Sequence, residues 1–311
     1  MSGVAILGVF VADTTFTADR QPEMGETILG RSFTLGPGGK GSNQAVAAGR
    51  AGADVHFIAR LGRDAFADMA LSVWSEAGVT PAIIQCDEPT GAAMIFIETG
   101  SGDNAIIVAP GAAGGITPAD VEAQADVIAG SAVFVTQLEQ PMDAAMRGLQ
   151  IARGADVTTI LNPAPAAPLP GGMLALCDYI TPNETEAQAL SGIAVTDLSS
   201  ARAAADALLR LGVARAVIVT LGAHGVLYHD AERSVSIPAV TAGPVVETTG
   251  AGDAFNGAFA TALAEGRDPV DAARFGCACA GLSVTRPGAA ASMPTRAEID
   301  DLLALSPMGS A

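Results

Sequence analysis

Short, continuous apolar runs alternate with alanine-rich stretches of helical length along this chain, and that rhythm restricts the folds open to it. The first run, Val4-Ala-Ile-Leu-Gly-Val-Phe-Val, gives way to polar Asp13-Thr-Thr, which predicts a strand buried on both faces with Asp13 at its carboxyl end. Similar runs begin at Val55, Ala132, Val157, Tyr179 and Ala216, and helices are predicted between them at 42–51, 65–77, 141–153, 184–191 and 199–211. Strand alternating with helix predicts an α/β fold, a three-layer α/β/α arrangement around a doubly wound, mostly parallel sheet.

Two segments fall outside the rhythm. One is Glu26 to Leu35; the other is Ala92 to Pro110, whose two apolar stretches flank Thr99-Gly-Ser-Gly-Asp and predict a β-hairpin. The expected division is a core of 1–13, 36–91 and 111–311, a small β-sheet lid of 14–35 and 92–110, and a loose tail at 306–311.

Charge narrows the range of partners. A formal net charge of -17 repels phosphate backbones and anionic lipid, which argues against nucleic acid or a membrane surface. The apolar runs fall well short of the roughly 18 residues a membrane-spanning helix needs, and no basic segment precedes the first, so a soluble, cytoplasmic protein is expected. The 4 cysteines and 3 histidines show no zinc-binding spacing.

Four stretches carry chemistry. Gly36-Pro-Gly-Gly-Lys-Gly-Ser-Asn follows a strand and opens a helix, and its glycines at 36, 38 and 41 satisfy a dinucleotide fingerprint. No acidic residue follows at a strand end about 20 positions on, and Lys40 precedes glycine, which excludes a Walker A loop. Lys40 is the only lysine in the chain, and Asn43 can donate and accept, as a polyol requires. In Glu247-Thr-Thr-Gly-Ala-Gly-Asp, the N–H groups of Gly250, Ala251, Gly252 and Asp253 open a helix and can hold an anion. Asp253 is then either a base for a hydroxyl attacking a phosphoryl group or an ordinary N-cap. Asn183 and Glu186, three apart, suit hydrated magnesium with its phosphates, or form a capping box. Thr220-Leu-Gly-Ala-His-Gly is a fourth turn, and all four lie at predicted carboxyl ends of strands, where open α/β sheets bind ligands.

These stretches resemble the ribokinase branch of the PfkB carbohydrate kinases. The matching motifs are Gly38-Gly-Lys-Gly-Ser-Asn-Gln-Ala-Val-Ala-Ala-Gly, Leu161-Asn-Pro-Ala-Pro-Ala, Ile180-Thr-Pro-Asn-Glu-Thr-Glu-Ala and the 247–257 stretch, in order over nearly the whole chain. The resemblance implies ATP-dependent phosphorylation of a sugar hydroxyl, with D-ribose to ribose 5-phosphate as the leading reaction. It implies that Asp253 is the base and that the amides of Gly250, Ala251 and Gly252 hold the transferring phosphoryl group. Sugar contacts are implied for Asp13, Gly39, Lys40, Asn43, Glu139 and Asp253, and ATP contacts for Asn183, Thr220, Gly222, Gly225 and Gly252. Magnesium is implied near Glu186 through water, and a monovalent cation such as potassium at Glu247, Thr249, Ser283, Gly288 and Ser292. A homodimer through the lid is implied as well.

Two positions depart from that pattern: Glu247 stands where the family carries aspartate, and Val11 where ribokinases carry asparagine. The second change bears on which sugar fits, because sites that hydrogen-bond a hydroxyl discriminate strongly. Other readings are a kinase for another sugar, a polyol or a nucleoside, a non-catalytic sugar-binding protein, and a dinucleotide oxidoreductase.

Overall fold

Along the first strand, Val4 and Ile6 enter one apolar layer while Ala5 and Leu7 enter another, as the two-residue period of a strand requires. The same division recurs at Val133 and Val135 against Phe134, so the sheet is covered on both faces. The computed structural model describes residues 3–305, and the tail expected at 306–311 lies outside them.

The strands are β1 (Gly3–Leu7), β2 (Val11–Ala18), β3 (Ser32–Gly38), β4 (Asp54–Leu61), β5 (Val79–Gln85), β6 (Thr90–Glu98), β7 (Asn104–Gly111), β8 (Val133–Thr136), β9 (Thr158–Leu161), β10 (Tyr179–Ile180), β11 (Ala216–Thr220), β12 (Val226–Asp230) and β13 (Ser234–Ile237). Nine of them form the large sheet in the order β13-β12-β11-β10-β9-β8-β1-β4-β5. Neighbours from β11 to β5 run parallel, while β12 and β13 add an antiparallel edge. Helices Lys40–Arg50, Ala251–Ala264 and Pro269–Ser283 cover one face; Met142–Gly154, Glu184–Ser191 and Leu198–Arg210 cover the other. This is the three-layer, doubly wound architecture expected from the sequence.

The other four strands form a small mixed sheet in the order β3-β2-β6-β7, in which β2 and β6 are parallel. The hairpin expected around Thr99-Gly-Ser-Gly-Asp is β6–β7. By register, Phe16, Phe33, Leu35, Met94 and Ile107 share one face, and all are exposed.

The first apolar run does not remain one strand. β1 stops at Leu7, and the chain re-forms as β2 from Val11, so Asp13 lies in the small sheet rather than at the end of a large-sheet strand. Gly8 marks the break. A Cβ there would lie 2.5 Å from Gln137 Oε1 and 2.7 Å from Gly41 Cα, so the start of helix Lys40–Arg50 packs directly on the break. β5 contains Pro81, which a parallel sheet accepts on the edge that β5 occupies. Among the described residues no helix is long and apolar enough to cross a membrane.

Candidate active site

The carboxyl ends of the parallel strands converge on one cleft. Glu139 follows β8, Asn162 follows β9, Thr181 and Asn183 follow β10, and Thr220 ends β11. A single bridge pairs Asn183 with Thr220 beyond the sheet. The cleft holds about 550 Å³, and its lining includes Lys40, Asn183, Glu186, Thr220, Gly222, Gly225 and Gly250 to Asp253. Val226, Val240, Val245, Phe255 and Val284 give it an apolar wall that the sequence did not announce. A second hollow of about 320 Å³ opens beside Tyr179 and Arg215, at the opposite strand ends. Its arginines are paired with Asp178, Asp230 and Asp268.

Two glycine turns shape the cleft. Gly39 has φ of 90°, and a Cβ on it would lie 2.4 Å from the Val9 carbonyl oxygen, so the backbone passes where no side chain fits. One residue earlier, a Cβ on Gly38 would lie 2.3 Å from Asp13 Oδ2, which brings the Asp13 carboxylate against the glycine-rich turn. The neighbouring Lys40 N–H donates to Glu139 Oε2 at 2.7 Å. Asp13, Gly39, Lys40 and Glu139, far apart in sequence, are thus gathered at one place.

On the other side, Gly250 (φ 78°) precedes helix Ala251–Ala264, whose start carries no side-chain cap. Asp253 is therefore not an N-cap: it sits in the first turn, buried, with its carboxylate turned to helix Lys40–Arg50. Asn43 Nδ2 donates to Asp253 Oδ2 at 3.1 Å and Gln44 Nε2 to Asp253 Oδ1 at 3.0 Å. Asn43 Oδ1 is buried and unpartnered, an acceptor left for a ligand hydroxyl. The Ala251 N–H, expected to face an anion, is instead engaged by the Thr248 carbonyl at 3.2 Å.

Asn183 and Glu186 do form a capping box, with Glu186 N–H donating to Asn183 Oδ1 at 2.8 Å and Asn183 N–H to Glu186 Oε2 at 2.9 Å. Both also line the cleft, so the cap fixes a carboxylate there. Farther along, Glu247 Oε2 accepts from the Gly288 N–H at 2.8 Å. The buried hydroxyls of Ser283 and Ser292 donate to the Ala280 and Ala289 carbonyls, leaving their oxygen lone pairs as acceptors. Thr249 lies exposed in the same loop.

Burial sets the electrostatics. It raises Glu139 to about 7, against the pull of Lys40, and Asp13 to about 6. Burial also raises Asp253, opposed by the Lys40 charge and by the Gln44 and Asn43 amides. Glu186 is raised for the same reason, opposed by the Asn183 N–H and by Lys40. A buried carboxylate held near a helix N-terminus, beside a lysine and a polar pocket, has the chemistry that phosphoryl transfer to a small-molecule hydroxyl calls for.

Comparison with known proteins agrees. The model of the pfkB family carbohydrate kinases matches residues 1–296. The ribokinase of Haemophilus influenzae is 38% identical over 301 residues, covering 96% of this chain and 98% of that protein. A deoxyribokinase of Salmonella typhimurium is 32% identical over 307 residues, covering 97% and 99%. The structure of Arabidopsis thaliana ribokinase with ribose and ATP superposes with a TM-score of 0.89 at 30% identity, covering 97% and 98%. The chain belongs to the pfkB family of carbohydrate kinases. It is a phosphotransferase that acts on an alcohol group.

Proposed function

We propose that the chain transfers the γ-phosphoryl group of ATP to a hydroxyl of D-ribose, giving ribose 5-phosphate and ADP. The observation that carries this reading is the buried Asp253 carboxylate at the uncapped start of helix Ala251–Ala264. The sugar binds among Asp13, Gly39, Lys40, Asn43 and Glu139, with hydroxyls on the Glu139 carboxylate and on Asn43 Oδ1. Asp253 takes the hydroxyl proton as the sugar oxygen bonds to the γ-phosphorus and the bond to the β-phosphate bridging oxygen breaks. The Gly250–Gly252 turn and the helix dipole oppose the charge that spreads over the transferring group. ATP extends along Asn183, Thr220, Gly222 and Gly225, its base against the apolar wall.

Magnesium fits beside the Glu186 carboxylate through water, where it would neutralise phosphate charge. The all-oxygen set of Glu247, Thr249, Ser283, Gly288 and Ser292 fits a monovalent cation such as potassium, which would stiffen the loop behind the anion-holding turn. Glu247 in this set already accepts from Gly288 N–H. The exposed apolar face of the small sheet supports a lid of 14–35 and 92–110 over the core and a homodimer built through it. A cytoplasmic location accords with these soluble substrates.

Val11 favours a second substrate. It lies two residues before Asp13 on the same face of β2, buried, and offers that end of the sugar pocket no hydrogen bond. A 2-deoxy pentose loses nothing there, and the Salmonella relative is a deoxyribokinase. The test is ADP release from MgATP with ribose, 2-deoxyribose, hexoses and nucleosides, with and without potassium. Turnover with pentoses is expected, falling about 10²-fold to 10⁴-fold in Asp253→Asn. Val11→Asn is expected to shift preference toward ribose. Silence with every pentose would overturn the substrate, and near-normal turnover in Asp253→Asn the base.

A further inference from the structure

A chain of buried side-chain amides ends on the catalytic carboxylate. It starts at the Thr181 backbone carbonyl, which accepts from Asn162 Nδ2 at 3.1 Å. A carbonyl can only accept, so Asn162 must turn its Oδ1 the other way, toward Gln44. Gln44 Nε2 donates to that oxygen at 3.1 Å and, with its second hydrogen, to Asp253 Oδ1 at 3.0 Å. Gln44 Oε1 is left facing Gln137 Nε2, which donates to it at 2.6 Å. Reversing the Gln44 amide would set oxygen against oxygen at Asn162 and at Asp253, and nitrogen against nitrogen at Gln137. One main-chain carbonyl at the end of β10 therefore dictates the direction of two amides and aims an N–H at the carboxylate.

The chain is completely buried at Gln44 and Gln137, and both N–H hydrogens of the Gln44 amide are used. Gly8 and Gly41 make room for it: a Cβ on either would lie 2.5 Å or 2.8 Å from Gln137 Oε1. Such packing holds Gln44 in one rotamer, and through it Asp253 Oδ1. Asn43 holds the other oxygen, Oδ2, at 3.1 Å while keeping its own Oδ1 free.

We propose that Gln44 is a positioning residue for phosphoryl transfer, braced by Gln137 and Asn162, which orients the Asp253 carboxylate and favours its ionised form. A donor to the charged form of a carboxyl lowers its pKa, so removing that donor raises it. The charged groups facing Asp253 are Lys40 at the start of the helix that carries Gln44, Glu139 beyond β8 and Glu186 beyond β10, and none is altered by a change at Gln44. This inference rests on Asp253 being the base.

The experiment measures kcat and KM against pH for Gln44→Leu, Gln137→Met and Asp253→Asn, with folding checked by circular dichroism. In Gln44→Leu, kcat is expected to fall about 10-fold to 100-fold with KM for sugar and ATP little changed, as small misplacement of a reacting group does. Its acid limb is expected at higher pH, so that the deficit narrows as pH rises. Gln137→Met, at a residue that neither hydrogen-bonds Asp253 nor lines the cleft, is expected to move the limb the same way by less, and it carries the test if Gln44→Leu does not fold. An unmoved acid limb in the folded variants overturns the positioning role while Asp253→Asn stays inactive. Activity retained in Asp253→Asn overturns instead the assignment of the base.

Discussion

Glu139 holds the Lys40 N–H at the price of its own burial, and that makes its contribution depend on pH. Its carboxyl is raised from 4.5 to about 7, so near neutrality the folded protein binds a proton that the unfolded chain does not. The stability this provides is complete below about pH 4.5 and is lost as pH rises through about 7. Glu139→Gln cannot ionise, so it is expected to stabilise the ligand-free protein by about 1–3 kcal/mol at alkaline pH, to do little at pH 4, and to weaken sugar binding. Urea unfolding at the two pH values checks this; equal effects at both would contradict it. Glu139 is reached only through the family resemblance, whereas Lys40, Asn43 and Asp253 are legible in the sequence because glycines mark their neighbourhoods. Gln44 is not, since one amide in an alanine-rich helix carries no signature until its partners 93 and 209 residues away are in place. Asp13 was found but misplaced, because only Gly8 punctuates an otherwise unbroken apolar run.

At the scale of elements, edge strand β5, with Pro81 inside it, is not legible, whereas the strand–helix alternation shows six of the nine strands of the large sheet, because each βαβ unit is written locally. The hairpin β6–β7 was legible from its turn for the same reason. β2 was not, since its parallel partner β6 is remote: Thr14 Oγ1 donates to the Ala93 carbonyl across 79 residues. Antiparallel β12–β13, at the far edge, also went unread. If the small sheet acts as the proposed lid, it closes over bound sugar. Hydrogen exchange in 90–111 is expected to slow when sugar binds, while β1 and β8, central in the large sheet, stay protected throughout. Unchanged exchange in 90–111 would argue against a moving cover.

For the whole molecule, the exposed face formed by Phe16, Phe33, Leu35, Met94 and Ile107 predicts self-association, which sedimentation can measure. The Phe16 and Phe33 rings lie 4.9 Å apart on this face, tilted by 44°, so Phe33→Asp is expected to abolish the association with the fold intact. A wild-type chain that sediments as a monomer at every concentration would contradict this. The pairing of β2 with β6 also imposes a schedule on synthesis. As the chain leaves the ribosome, β1 can meet β4 and β5 early, but β2 and β3 have only each other until residue 98 has emerged. A lone two-stranded ribbon is marginal in water. The nascent protein therefore builds the first wall of its core, with Lys40 and its glycines, before the small sheet can assemble.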